Sequence, residues 1–312
     1  PTMIETLASP IGWFWMTVVA SAYLYLRNRF TAVSKKSGYT LGDRLLHRLA
    51  LGVPTIGRIS MEVDQALRRN KDGKQAQPPV FISGLARAGT TILMRTFYET
   101  DVFRSLTYRD MPFVLMPGIW KSLSRPFHQY EAEKERAHGD GIAVNFDSPE
   151  AFEEVFWRVF SADEYLFKDH LSSYSPNEEV IHQFQQFIDQ VVLSADQTLQ
   201  QRYLSKNNNN ILRLGSIRQA FPDALIIVPF RDPIQHAISL FQLHIRFCAT
   251  HEIDSFSSNY MEWLGHHEFG ATPRPFQFGG HHTVTAKDHH PGNMNYWLAL
   301  WINTYHYLLE TA

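Results

Sequence analysis

The stretch Pro78–Tyr98, PPVFISGLARAGTTILMRTFY, limits the possible folds more than any other part of the chain. Val80, Phe81 and Ile82 form a short apolar run suited to a buried strand. Gly84, four further residues, Gly89, Thr90 and Thr91 follow, and then Ile92, Leu93, Thr96 and Phe97 recur at helical spacing. Strand, glycine-bounded loop and helix make a phosphate cradle, in which loop N–H groups and the positive end of the helix dipole face one anion. Chains that hydrolyse nucleotides place Lys and then Ser or Thr after the second Gly. Here Thr90 holds the Lys position, and the cation, Arg87, sits inside the loop. A kinase or NTPase is therefore the alternative, not the first reading.

A second informative stretch runs from Tyr203 to Leu240. Ile211 to Leu214 is expected as a strand and Ser216 to Ala220 as a short helix. Phe221-Pro-Asp223 is a turn, and Ala224 to Pro229 is almost wholly apolar, as a strand in a parallel sheet must be. That strand ends in Phe230-Arg231-Asp232-Pro233. Ligands of open α/β sheets bind outside the carboxyl ends of strands. Arg231 is thus placed to meet a second anion, with Ser239 beside it from the helix that Pro233 begins; the alternative is a salt bridge to Asp232 or another acid. Asp110 lies shortly downstream of the loop helix, where the next element can return a side chain to the anion. A turn Asp before Met111-Pro112, or a partner of Arg109, is its other reading. The tight turn His138-Gly-Asp-Gly141 can present His138 or Asp140 to a substrate. Ser148-Pro-Glu150 is expected to start a helix, with Glu153 and Glu154 as surface charges near its positive end. A further helix is expected over Asn177 to Leu204.

Leu7 to Leu26 carries no charge and has about the ~20 residues of a transmembrane helix. Ser9, Pro10, Thr17 and Ser21 weaken that reading, and an amphipathic or core-docked helix is the alternative. Arg27, Arg29, Lys35 and Lys36 follow, so a spanning segment would leave the rest on the cytoplasmic side. The expected organisation is an N-terminal hydrophobic helix and membrane anchor over 1–40, a helical layer or lid with a linker over 41–77, and a catalytic domain over 78–312. Hydrophobic residues make up 44% and charged residues 19%, enough apolar content for a large core. Lys+Arg is 29 against Asp+Glu 31, so a nucleic-acid footprint is not expected and any anion site is local. The single cysteine, Cys248, rules out an intrachain disulfide and fits a reducing compartment such as the cytoplasm.

With both motifs in order, the chain resembles the sulfotransferases that use 3′-phosphoadenosine 5′-phosphosulfate (PAPS), in the branch that includes protein-tyrosine and many bacterial enzymes. Gly84-Leu-Ala-Arg-Ala-Gly-Thr-Thr91 resembles their 5′-phosphosulfate loop, G-x-P-R-S-G-T-T, with Ala86 and Ala88 in place of Pro and Ser. Phe221-Pro-Asp-Ala…Pro-Phe-Arg-Asp-Pro233 with Ser239 resembles their 3′-phosphate element. Lys206 resembles the Lys of a K-T-P motif, here followed by Asn207 to Asn210. The resemblance covers about 78–310. It implies a three-layer P-loop-type α/β fold, a parallel sheet flanked by helices, here with an N-terminal helical extension. It implies PAPS as cosubstrate and a hydroxyl on a glycan, lipid or phenol as acceptor. Arg87, Ala88, Gly89, Thr90 and Thr91 would hold the 5′-phosphosulfate, Arg231 and Ser239 the 3′-phosphate. Arg87 and Lys206 would stabilise the transferring group. Asp110 is the match for the family's general base, with His138 second. The family's closing strand and distal loop are not present before Ala312, so a C-terminally truncated chain is expected. A non-catalytic membrane-associated binding protein on the same fold is a further alternative.

The histidine-rich segments Trp263–Gly270, Gly279–His282 and His289-His290 match none of the strong zinc spacings, and no metal is expected. Residues 249–292 are instead expected as a long loop over the acceptor site.

Overall fold

The computed structural model describes residues 41–68, 77–125, 134–135, 143–195, 201–253, 255–279 and 289–311. The expectations for the apolar segment 7–26 and for His138 lie outside these residues. Among the described residues no helix is long and apolar enough to cross a membrane.

Two helices come first, α1 (Leu41–Gly52) and α2 (Pro54–Arg68). Pro54 suits the first helical position, where its missing N–H costs nothing. Then β1 (Val80–Ile82) leads through the loop into α3 (Thr90–Tyr98), followed by β2 (Phe103–Arg104), a 3-10 turn at Tyr108–Asp110 and α4 (Pro117–Ser124). A short antiparallel pair, β3 (Lys134–Glu135) and β4 (Ala143–Val144), precedes α5 (Glu154–Tyr165), β5 (Leu171–Ser172) and α6 (Glu178–Leu193). Next come β6 (Arg202–Lys206), a 3-10 segment at Asn208–Arg213, α7 (Leu214–Ala220) and β7 (Leu225–Ile227). The long helix α8 (Pro233–Ile253), α9 (Ser255–Trp263), β8 (Phe276–Gln277) and α10 (Met294–Thr311) complete the described chain.

The main sheet has the order β2-β6-β1-β7 and is parallel throughout. β1, one of its two inner strands, is apolar because both faces are covered. Phe81 points into the larger core, against Phe184, Tyr203 and Phe221. Val80 and Ile82 point the other way, beneath α3, with Met94, Phe103 and Leu204. Alternation along one three-residue strand thus supplies two cores, and helices on both faces make three layers. The pair α1 and α2 packs as a further layer over α5, α6 and α9. A Cβ on Gly57 would lie 2.9 Å from Val159 Cγ2, so α2 approaches α5 as closely as its backbone allows.

Three local expectations are corrected. The strand near the Asn run is Arg202–Lys206, and Ile211 to Leu214 instead closes the 3-10 segment and opens α7. Asn207 causes the switch, since its side chain accepts from Asn209 N at 3.1 Å and starts a turn. The helix expected up to Leu204 ends at Leu193, which frees the chain to enter the sheet. The helix expected from Ser148 begins at Glu154, because Pro149 bridges Thr107 and Ser148 Oγ accepts from Asn145 N at 3.0 Å.

Glu153 and Glu154 are the larger surprise, being 2% and 1% exposed. Glu154 faces Arg213, which donates from Nη1 to Oε2 and from Nη2 to Oε1, both at 3.0 Å. Tyr165 Oη and Asn207 Nδ2 also donate to Glu154. Glu153 accepts from Tyr203 Oη at 3.0 Å and from Asn210 Nδ2 at 2.8 Å. The guanidinium of Arg213 lies over the rings of Trp157, Tyr165 and Tyr174 at 4.7, 4.9 and 5.3 Å. Two acids at the start of a helix read as solvated charges; partners 50 to 59 residues on bring them inside.

Candidate active site

The carboxyl ends of β1, β6 and β7 lie side by side, with Ile82 opposite both Lys206 and Ile227. The loop 83–89 leaves β1 at this edge. A Cβ on Gly84 would sit 3.3 Å from Pro229 Cδ, so the loop presses on the exit of β7. Arg87 and Gly89 both adopt left-handed backbone, φ 71° and 94°. At Gly89 a Cβ would meet nothing within 4 Å, so conformation, and not crowding, asks for glycine there. α3 then starts with no acid in its first turn, which leaves its positive end to an external anion.

The loop is held from behind by its own carbonyls. Leu85 O accepts from Ala88 N at 3.2 Å. Ala86 O accepts from His236 Nε2 at 2.7 Å, and Arg87 O accepts from Arg231 Nη1 at 3.2 Å. Arg87 Nε donates to Ser239 Oγ at 3.1 Å. Three contacts therefore tie the phosphate-type loop to the stretch around Arg231 and the first turns of α8. His236 is wholly buried, and burial, with the charges of Arg231 and Arg87 adding, lowers its pKa against the opposing hydrogen bond to Ala86. Because a carbonyl can only accept, His236 carries a proton on Nε2, toward Ala86 O. Nothing in the sequence singled out His236. Its signal was position: it precedes Ser239 by three residues and shares that face of α8.

A cleft of ≈ 360 Å³ opens above these strand ends. One wall carries Arg87, Ala88, Gly89, Thr90, Thr91, Lys206 and Arg231; Asn208, His266, Glu268 and Phe269 line the cleft with them. Lys206 is 6% exposed, with Nζ 3.7 Å from Glu150 Oε1. Of the residues singled out from sequence, Arg87, Ala88, Gly89, Thr90, Thr91, Lys206 and Arg231 thus meet at one cleft, and Ser239 touches it through Arg87. A larger hollow of ≈ 680 Å³ lies between α1 and α9, but no loop residue reaches it.

Asp110 does not join them. It is buried and ends the 3-10 turn, where it accepts from Arg104 Nη2 at 2.9 and 3.1 Å and from Thr107 N at 2.7 Å. Thr107 and Asp110 form a reciprocal capping box. The expected general base is thus paired with Arg104, and it is not among the residues lining the cleft. Arg109, read as its possible partner, pairs with Asp147 instead.

Glu268 was not singled out. Burial pushes its pKa up, but the neighbouring His266 and the amide of Asn208 outweigh this and hold it at about 2. His267, next to it, is lowered to about 3 by burial and by Arg274.

The Sulfotransferase family matches residues 78–271, more than half of the chain. Two solved structures are similar. Sulfotransferase STF9 from Mycobacterium avium is 15% identical with a TM-score of 0.40; the match covers 72% of this chain and 60% of that one. Sulfotransferase STF1 from Mycobacterium tuberculosis is 12% identical with a TM-score of 0.39, over 79% of this chain and 72% of that one. The chain thus spans 60% of the length of the first of these proteins. No curated protein matches the chain.

Proposed function

The chain belongs to the sulfotransferase family, and on that premise we propose that it transfers a sulfuryl group from PAPS to an acceptor hydroxyl. The observation that carries this reading is the contact between two anion-directed elements. Arg87 of the loop touches Ser239, and Arg231 touches the backbone of Arg87. A ligand with charged groups at both ends of one nucleoside suits two such elements at one cleft. A single-phosphate ligand would need only the first.

The residues present fit that donor. The left-handed turn at Gly89 leaves open space in front of α3, and Arg87, Lys206 and Arg231 supply three cations around it. Arg87, Ala88, Gly89, Thr90 and Thr91 would hold the 5′-phosphosulfate, and Arg231 and Ser239 the 3′-phosphate. When bound, PAPS supplies an activated sulfuryl group on a phosphate leaving group. Sulfuryl transfer, like phosphoryl transfer, asks the protein chiefly for in-line positioning and charge stabilisation. Lys206, fixed at the end of β6, neutralises charge that develops on the leaving oxygen. His236 holds the loop's shape by gripping Ala86 O, and the buried strand ends keep the cations in register.

Titration of the full chain with 3′-phosphoadenosine 5′-phosphate by calorimetry tests this reading. Arg231→Ala is expected to weaken binding about 10- to 100-fold, the size of a lost charge-assisted contact. Unchanged affinity in that variant would remove Arg231 from the donor site.

A further inference from the structure

We propose that His266 is the general base of the transfer and that Glu268 positions it, an inference that rests on the sulfuryl-transfer reading above. An acceptor hydroxyl must lose its proton as it attacks sulfur. The cleft holds five titratable side chains among its lining residues, and three of them, Arg87, Lys206 and Arg231, are cations. His266 and Glu268 remain, and Asp110 is tied to Arg104 elsewhere.

The chain delivers His266 to the cleft by a specific turn. α9 ends at Trp263, Gly265 N donates to Glu262 O at 3.0 Å, and His266 N donates to Met261 O at 2.9 Å. This pair of bonds is a Schellman motif, which needs a left-handed residue at its penultimate position. Gly265 supplies it at φ 75°. A Cβ there would also lie 2.2 Å from Glu154 Cγ, so the turn is pressed against the buried acid that pairs with Arg213. His266 is therefore placed by a rigid support, although it sits in a segment read from sequence as a loop.

The partner is equally fixed. Glu268 Oε1 accepts from Asn208 Nδ2 at 2.8 Å, and Asn208 lies two residues beyond Lys206. Glu268 Oε2 is buried, has no hydrogen-bond partner among the described residues, and lies 3.6 Å from His266 Nδ1. A carboxylate facing Nδ1 selects the tautomer with its proton there and leaves the Nε2 lone pair for the acceptor. Separations of this kind tighten when substrate binds. His266 Nε2 takes the acceptor proton while the acceptor oxygen forms its bond to sulfur. The sulfur–oxygen bond to the 5′-phosphate breaks, and its electron pair stays on the phosphate beside Lys206. The imidazolium that results lies against Glu268.

Two measurements on the full chain test the pair. The first needs no ligand: long-range 1H–15N correlation reads the His266 tautomer. Nδ1–H is expected, with a shift toward Nε2–H in Glu268→Gln; Nε2–H in the wild type overturns the proposal. The second is transfer to water, read as sulfate released from PAPS, so no identified acceptor is required. His266→Gln is expected to slow it by about 100-fold or more while affinity for 3′-phosphoadenosine 5′-phosphate stays within about threefold. Release near the wild-type rate in that variant, or none from a wild type that binds the nucleotide, overturns the assignment. A wild type that does not bind 3′-phosphoadenosine 5′-phosphate at all overturns the donor reading itself, whatever the tautomer.

Discussion

Glu154→Ala is expected to lower the stability of the protein by about 3–5 kcal/mol, because it leaves a buried guanidinium without its counter-charge. The side chain of Arg213 is 0% exposed and that of Glu154 2%. Burial alone would lower the pKa of Arg213; the Glu154 carboxylate outweighs it and raises that pKa. Removing the acid also strands the donor of Tyr165 and takes one of two acceptors from Asn207 Nδ2. Urea unfolding monitored by Trp fluorescence reads the loss. The double variant Glu154→Leu/Arg213→Met should recover much of it, because a buried ion pair can be exchanged for apolar packing far more cheaply than it can be halved. A single variant with the wild-type midpoint would mean that water reaches Arg213.

Lys206→Ala is the second large effect. It is expected to slow sulfate release from PAPS by about 10²–10³-fold, the usual cost of one preorganised charge donor at a developing anion. Affinity for 3′-phosphoadenosine 5′-phosphate should fall much less, since the loop and Arg231 remain. The separation of rate from affinity is the informative part: an equal loss in both would make Lys206 a ground-state binding residue. Glu150 loses one ion-pair contact in the same variant, so an accompanying loss of stability is expected as well.

Much of this was legible in the sequence where local pattern and tertiary role coincide. Val80 to Ile82, the glycine-bounded loop and the helix from Thr90 were readable because strand length, left-handed glycine and helix start are all written within a dozen residues. The Arg231 element was readable for the same reason, as an apolar strand ending in charge and Pro. What failed was what depends on distant partners. Glu153 and Glu154 look like surface acids until Arg213, Tyr203 and the Asn run are folded onto them. Asp110 sits at the right distance after the loop helix, yet Arg104, six residues earlier, captures it. The run Asn207–Asn210 looked like a gap in a lysine motif. It is a set of amides that reach Glu154, Glu268, Gly265 and Glu153 in turn. Four adjacent amides were the available signal, since so many side-chain polar groups inside a core require partners. His266 was hidden among other histidines, and only the Gly265 turn separates it from them.

On the proposed function, one cleft recognises a nucleotide charged at both its 5′ and 3′ ends. Calorimetry of the full chain with 3′-phosphoadenosine 5′-phosphate and with adenosine 5′-monophosphate, under the same conditions, tests it most directly. The 3′-phosphorylated ligand is expected to bind more tightly by about 10- to 100-fold, and Arg231→Ala should erase most of that difference. Equal affinities in the wild type, or tighter binding of ATP with magnesium than of either ligand, would contradict it.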